Sequence, residues 1–206
     1  MIGPKEKKER ALGERLGLKG DRCASPKCAA VRKPYKPGMH GNSKKRRAAL
    51  SEFGRQLKEK QKFKVSYGLD ERNLWNLFLR AKKAKGSTAD GLLALFERRL
   101  DNVVFRLGIA PSRGAARQLI VHGHISVNHR RVRSPNFSLK VGDTVSLTAG
   151  SEANAAFTKR KEILAKYEPP AWLHLDGEKV EGRVLALPQN ETPPFDINLL
   201  VESFNK

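Results

Sequence analysis

Acidic residues are scarce in this sequence of 206 residues, because Asp and Glu number 21 against 41 Lys and Arg and the formal net charge is +20. Cysteine is nearly absent, and two cysteines are too few for a disulfide framework. No apolar run approaches the roughly 20 residues of a membrane span. The first residues have no apolar signal core, and their acids argue against a transit peptide. We therefore expect a cytoplasmic protein that makes no contact with a membrane.

Positive charge is concentrated in the first third of the chain. Residues 1–65 carry 20 basic and 6 acidic residues, whereas residues 151–206 carry 7 basic and 9 acidic residues. Such a concentration indicates a polyanionic partner, most often nucleic acid. Few aromatic residues lie among the basic ones, which favours recognition of RNA shape and phosphate backbone over stacking on single-stranded bases. We expect the N-terminal part to face phosphate and the tail to face protein or solvent.

Helical periodicity of apolar residues is clearest between residues 44 and 107. A basic helix over 44–66 should bury Leu50, Phe53 and Leu57. A second helix over 71–85 should follow it. Gln61 is a further core position of the first helix. In the second helix, we expect Leu74, Trp75, Leu77, Phe78 and Ala81 in the core. A third helix from Thr88 to Leu100 and a short helix over 102–107 should follow.

The segment from Ser112 to Leu147 has the pattern of a small helix followed by strands. Ser112 is a favourable N-cap and Gly123 can end the helix. Residues 125–133 indicate two short strands around a turn at Asn128-His129, and residues 141–147 add another strand. Residues 172–176 and 182–187 alternate like a further pair of strands. Because His tolerates positive φ less well than Gly, we expect a local adjustment of this hairpin.

This segment resembles the RNA-binding module of the S-four family of small-subunit ribosomal proteins. The lead-in over residues 92–108, the Pro37-Gly-Met-His40-Gly run and the run over residues 57–62 are also similar to that family. The resemblance extends from about Gly3 to the end of the chain.

The resemblance implies an α+β fold, in which a mainly helical N-terminal domain carries an inserted small helix-plus-strands RNA-binding module. The expected division is a basic irregular arm over 1–43, a helical domain over 44–94 plus 169–206, and the module over 95–168. The arm is expected to become ordered against RNA, as basic extensions do. The segment at the end of the chain should return to pack on the early helices.

The resemblance also implies a structural component of the small ribosomal subunit. It would be a primary rRNA-binding protein that nucleates assembly at a helix junction in the 5′ region of small-subunit rRNA and contributes to translational accuracy. The implied partners are small-subunit rRNA, mRNA near the path by which it enters the subunit, and small-subunit ribosomal protein five. The expected RNA-binding residues are Lys44, Lys45, Arg46, Arg47, Lys58, Lys62, Arg113, Arg117, His122, Arg130 and Arg131.

No pattern typical of catalysis occurs in the sequence, which lacks a His-x-Glu, a Gly-x-Ser-x-Gly and a phosphate-binding glycine loop. We therefore predict that the protein is not an enzyme and needs no cofactor. Two alternatives stay open, namely an RNA-binding module attached to an enzyme and a regulatory protein that represses its own messenger RNA.

The pair Cys23 and Cys28 is the one departure from the family pattern that concerns a metal. Many bacterial members of the S-four family have a second cysteine pair upstream, which completes a four-cysteine zinc site. Glu6 and Glu9 stand at those positions here. Since structural zinc sites strongly favour four N or S ligands, we expect no metal. Cys23 and Cys28 remain candidate ligands, with the two carboxylates and His40 as conceivable partners.

Overall fold

The computed structural model describes residues 4–41, 49–84, 86–152, 155–188 and 195–204. The helices are α1 (Lys5–Leu12), α2 (Asp21–Ala24), α3 (Ala29–Arg32), α4 (Glu52–Tyr67), α5 (Glu71–Lys83), α6 (Thr88–Glu97), α7 (Leu100–Arg106), α8 (Arg113–His122), α9 (Ala149–Glu152), α10 (Ala155–Leu164) and α11 (Ile197–Glu202). The strands are β1 (Ile125–Val127), β2 (Arg130–Arg131), β3 (Thr144–Leu147), β4 (Leu173–Asp176) and β5 (Glu181–Val184). The α+β fold class is confirmed.

The chain divides into two compact units, one formed by residues 1–93 with 192–206 and the other by residues 94–191. The boundary between them falls within α6. Strands β4 and β5 belong to the second unit, whereas the sequence division assigned them to the helical domain over 44–94 plus 169–206. The reason is backbone pairing, because β5 is hydrogen-bonded to β3. The other expected domain limits stay predictions.

The N-terminal arm contains the helices α1, α2 and α3, so the expectation of an irregular segment over 1–43 is wrong. The sequence does not predict these helices because their buried positions hold no large apolar residues. Glu6 and Glu9 are the buried residues of α1, and Cys23 is the buried residue of α2. Periodicity of large apolar residues, the main signal for a helix, is therefore missing here.

Helix α4 buries a different face from the one that the sequence predicts. Leu50, Phe53 and Leu57 are exposed, so their prediction as core residues is wrong. The buried residues of the helix are Gln56, Lys62, Phe63, Ser66 and Tyr67. The predicted core residues Leu74, Phe78 and Ala81 of α5 are buried, as expected. Trp75, also predicted to be in the core, is half exposed.

The end of the chain packs on α4 and α5 through aromatic rings. Phe195, just before α11, lies with its ring centroid 4.7 Å from that of Phe63. Phe204 stacks on Phe78 at 4.7 Å and contacts Trp75 at 5.4 Å. Leu200, which lies between Phe195 and Phe204 in the sequence, is fully buried. The apolar residues of the terminal segment are therefore used within the first unit.

A chain of ion pairs joins α4 to the segment that follows α1. The Nζ of Lys62 lies 2.6 Å from Glu14 Oε1 and 2.5 Å from Glu59 Oε1, and the Lys62 side chain is only 7% exposed. Lys58 Nζ also approaches Glu14, at 3.4 Å. Burial raises the pKa of the Glu14 carboxyl, but the hydrogen bonds and charges of Lys62 and Lys58 outweigh burial and leave the pKa below its ordinary value.

The Glu14 ion pairs predict a pH-dependent stability of the first unit. Their contribution is complete above the ordinary carboxyl pKa of 4.5 and is lost as the pH falls through the lowered pKa. We expect Glu14→Gln to be less stable than the wild type at neutral pH and to approach it at an acidic pH below 4.5. Urea unfolding followed by Trp75 fluorescence in a Trp172→Phe background measures this. The exposed Glu162→Gln is the control, and an equal loss at both pH values contradicts the prediction.

An antiparallel sheet in the order β2-β1-β3-β5-β4 forms the second unit. Register pairs Ile125 with Leu147 and Val127 with Val145, so these apolar side chains share one face of the sheet. They form one core with residues of α7 and α8, among them Val103, Val104, Leu107, Ala116 and Ile120. The predicted pairing of the strands near residues 172–187 is confirmed, since β4 and β5 are antiparallel.

The opposite face of the sheet is polar. Ser126 pairs with Ser146 on β3 and with Arg131 on β2. His174 on β4 pairs with Arg183 on β5. Gly182 allows the apolar face to lie close to α7, because a Cβ at this position would come within 2.3 Å of Leu107 Cδ1. Within the described residues, none of the helices is both long and apolar enough to span a membrane.

Candidate RNA-binding surface

Helix α8 is held at both ends by groups that the sequence indicates. The Ser112 Oγ accepts a hydrogen bond from the Ala115 N–H at 3.2 Å, which satisfies one of the free amides of the first turn. Gly123 ends the helix with φ of 78°, a left-handed conformation that glycine adopts without steric cost. Ala116 and Ile120 are buried, whereas Arg117 is exposed. The caps therefore fix which side chains α8 presents to solvent.

A buried polar network lies beneath the first turn of α8. The Asn102 amide donates to Glu97 Oε2 at 2.7 Å, and its oxygen accepts from Arg113 Nε at 2.7 Å. The Arg113 guanidinium also lies 4.7 Å from the centre of the Phe105 ring. Asn102 and Glu97 are almost wholly buried. Arg113, a predicted RNA-binding residue, is thus partly buried and held in one orientation.

Two buried carboxylates bind several arginines at this end of the unit. Asp101 accepts from Arg99 at 3.0 and 2.6 Å in a bidentate pair. Arg117 Nη1 lies 4.0 Å from the same carboxylate, and its side chain is 44% exposed. Glu97 accepts from Arg106 at 3.0 and 3.2 Å. Because the arginines outnumber the carboxylates, this end of the unit stays positive, and Arg117 is at its surface.

The β1–β2 hairpin carries the second group of predicted residues. Its turn keeps positive φ at both Asn128 (50°) and His129 (63°), so the expected adjustment of the hairpin is wrong. The Asn128 side chain explains why the turn is retained. Its amide donates to Asp143 Oδ1 at 2.9 Å, and its oxygen accepts from the Thr144 N–H at 2.9 Å. These bonds fasten the turn to β3.

Arg131 links the hairpin to the end of α8. Its Nε donates to the Gly123 carbonyl at 2.7 Å, and a Cβ on Gly123 would lie within 2.4 Å of that nitrogen. Arg130 and Arg131 are exposed, as is His122 in the last turn of α8. Arg131 thus contacts the residue that follows His122 in the chain. His124 is instead engaged internally, with its Nδ1 2.8 Å from Ser151 Oγ.

The predicted residues of the first unit have different outcomes. Lys62 is buried in its ion pairs, so its side chain is not presented to a phosphate. Lys58 is partly exposed and paired with Glu14. The run Lys44, Lys45, Arg46 and Arg47 lies outside the described residues.

The sequence reasoning missed the residues that orient the arginines. Glu97 ends α6, whereas Asp101 and Asn102 lie in the first turn of α7, so helical spacing in the sequence does not relate the three residues. It also missed a groove of about 610 Å³ on the polar side of the sheet. His129, Arg131, Lys161 and Lys179 line it together with Glu178 and Glu181.

Cys23 and Cys28 are buried free thiols in the arm. Burial raises the pKa of the Cys23 thiol, which favours its protonated form. Donor atoms of these thiols and of Glu9 lie within 4.8 Å of one another. His40, named from the sequence as a possible partner, is exposed and does not belong to this group. The described residues therefore offer three donors where structural zinc takes four.

Comparison with known proteins covers the whole chain. The family model for the ribosomal protein S4/S9 N-terminal domain matches residues 1–97, and the model for the S4 domain matches residues 98–145. Small ribosomal subunit protein uS4 of Caldicellulosiruptor bescii is 46% identical over 207 residues, which span 100% of this chain and 98% of that protein. The uS4 proteins of Acetivibrio thermocellus and Solidesulfovibrio magneticus are 45% and 43% identical, each over 96% of this chain and 94% of the relative.

The chain belongs to the uS4 family of ribosomal proteins. The predicted family is confirmed, and so is the prediction that the protein is not an enzyme, because members of the uS4 family are structural proteins of the small ribosomal subunit. The alternative of an RNA-binding module attached to an enzyme is therefore wrong. The polar network and hairpin described above belong to an S4 domain, which is an RNA-binding domain.

The buried network predicts that Asn102→Ala destabilises the second unit. The substitution removes a donor to Glu97 and the acceptor of Arg113, and leaving such buried groups without partners costs about 1–3 kcal/mol. Urea unfolding followed by Trp172 fluorescence in a Trp75→Phe background measures the loss. Gln118→Ala, on the exposed face of α8, should change stability by less than about 0.5 kcal/mol. A similarly small effect for Asn102→Ala contradicts the role assigned to the network.

Proposed function

We propose that this protein is a primary binder of small-subunit rRNA and nucleates assembly at a helix junction in the 5′ region of that RNA. The observation that carries the proposal is the set of exposed basic side chains on α8 and the hairpin, namely Arg117, His122, Arg130 and Arg131. They stand on two elements that the Arg131–Gly123 hydrogen bond joins. A rigid arrangement of this kind suits a structured phosphate backbone, which is recognised by its shape.

Several features support contacts to phosphate by these residues. Arginine offers a planar fork of donors that matches two phosphate oxygens at once. The caps of α8 and the bonds of Asn128 hold the backbone of both elements before RNA arrives, so that little ordering is needed on binding. Arg113 acts differently, because Asn102 and Phe105 already engage it. We assign Arg113 the task of fixing the first turn of α8.

The proposal predicts a steep dependence of rRNA affinity on salt and a smaller slope after loss of arginines. Each lost phosphate contact should reduce the log–log slope by roughly 0.7 to 0.9. We expect the triple variant Arg117→Gln, Arg130→Gln and Arg131→Gln to bind the 5′ domain of the rRNA more weakly at every salt concentration, with a slope smaller by about 2 to 3. Filter binding between low and physiological ionic strength measures both quantities.

The control for this experiment is a triple change of exposed basic residues outside the proposed surface, Lys166→Gln, Arg72→Gln and Arg80→Gln. It removes the same charge and should leave most of the affinity intact. Thermal unfolding should show that both variants are folded. Equal effects of the two variants would mean that net charge, and not this surface, determines binding. Chemical footprinting on the complete small-subunit rRNA then locates the site.

We further propose that the exposed apolar face of α4 contacts small-subunit ribosomal protein five, and that this contact bears on translational accuracy. Phe53 and Leu57 of α4 form that face together with Leu50 just before the helix, with exposed fractions of 65%, 43% and 54%. Contiguous apolar surface of this kind marks protein interaction sites. The run Lys44–Arg47, which precedes it, is proposed to contact mRNA as it enters the subunit, through non-specific phosphate contacts.

If this face contacts ribosomal protein five, its substitution should weaken that contact and leave rRNA binding unchanged. The variant Leu50→Ser, Phe53→Ser and Leu57→Ser should keep its melting temperature and its affinity for rRNA, since these side chains leave no cavity. It should bind ribosomal protein five more weakly on the assembled rRNA and raise misreading in cells. Leu185→Ser with Leu187→Ser, which are exposed in the second unit, is the control. Unchanged misreading together with unchanged binding of ribosomal protein five contradicts the proposed contact.

A further inference from the structure

The arm around Cys23 and Cys28 departs from a zinc site in more than its ligand count. A four-cysteine site has four sulfur donors around one ion, about 2.3 Å from each. Here the sulfur donors are two, and Glu9 adds one carboxylate oxygen to the group. Among the described residues, Glu6 stands where another ligand would be expected, yet its carboxylate is not a member of that group. The hydrogen bonds that the Glu6 and Glu9 carboxylates accept show what stands in place of the missing zinc ligands.

Both oxygens of Glu6 are occupied by donors from the arm itself. Oε1 accepts from Arg22 Nε at 2.7 Å and lies 3.4 Å from Lys19 Nζ. Oε2 accepts from the Ala29 N–H at 3.3 Å. The Arg22 bond lowers the pKa of the Glu6 carboxyl, burial opposes that effect, and the net pKa lies below its ordinary value. Glu6 therefore ties α1 to the segment that carries both cysteines.

Glu9 ties the same helix to the loop that precedes Cys23. Its Oε1 accepts from the N–H groups of Leu16 and Leu18, at 3.1 and 3.0 Å. Its Oε2 lies 4.0 Å from Cys23 Sγ, and that sulfur accepts from the Lys19 N–H at 3.3 Å. One buried side chain thus satisfies two backbone amides and faces a thiol, so the loop is closed by protein groups alone.

The charges balance without an added cation. Arg22 and Lys19 supply two positive charges at Glu6. A divalent cation placed beside the thiols would be near this guanidinium, because Arg22 is next to Cys23 in α2 and donates to Glu6. Repulsion between the cations would therefore oppose metal binding.

We propose that this arm folds without a bound metal, and that Glu6 with Arg22 and Lys19, together with Glu9, makes the cross-links that zinc makes in four-cysteine members of the family. Cys23 and Cys28 then act as small buried apolar residues with free thiols. The two carboxylates connect α1 to residues 16–29. A zinc ion bound by two cysteine pairs would connect the same two parts of the chain.

The first test compares the metal content of two proteins. The full-length wild type, dialysed with one equivalent of zinc and then against buffer, should retain none by elemental analysis, and a chelator should not change its melting temperature. The variant Glu6→Cys with Glu9→Cys, in which four thiols become available, should retain one zinc per chain, and a chelator should lower its melting temperature. One tightly held zinc in the wild type, lost in Cys28→Ser, overturns the proposal.

The second test measures the cross-links directly and does not depend on folding of the cysteine variant. In Glu9→Gln, whose side-chain oxygen is a weaker acceptor, the amides of Leu16 and Leu18 should exchange with solvent roughly tenfold faster. Glu6→Gln should act in the same way on the amide of Ala29. Glu162→Gln is the control and should change none of these rates. Unchanged exchange at all three amides in both variants also overturns the proposal.

Discussion

Pairing of a few buried carboxylates with a large excess of basic side chains is the interaction on which both units depend. A chain with a net charge of +20 opposes its own compaction through repulsion. Acids in buried positions have a stronger effect than exposed ones, because the effective dielectric constant there is lower. Glu6 holds the arm and Asp101 holds Arg99. The partly exposed Glu14 pairs with the buried Lys62 and so joins α4 to the segment that follows α1. The basic residues beyond their reach remain exposed.

This distribution connects folding to RNA recognition in the S4 domain. The network of Glu97 and Asn102 uses Arg106 and Arg113 for structure, whereas Arg117 and Arg130 are exposed. Phosphate contacts cost less ordering entropy when the backbone that carries the side chains is already fixed. The rigid backbone of α8 and of the hairpin supplies that condition, at the cost of positive φ at His129.

Much of the fold was predictable from local residue patterns. Ser112 and Gly123 mark the ends of α8 correctly, and alternating residues mark β4 and β5. The buried face of α4 was not predictable in this way. The helix packs against a segment far along the chain, as the 3.2 Å bond between Gln56 and Glu202 illustrates. Periodicity identifies an apolar face, but it cannot tell whether that face meets the protein's own core or another surface.

The sequence by itself determined the charge of the protein, the caps of its helices, the alternation of its strands and its likeness to the S-four family, because each depends on residue types at short spacing. Only the tertiary structure decided which charged residues are exposed and which are held. Lys58 and Lys62 are alike in the sequence, yet Lys62 is buried beside Glu14. Glu14 lies on a distant segment, and packing alone brings the two charges together.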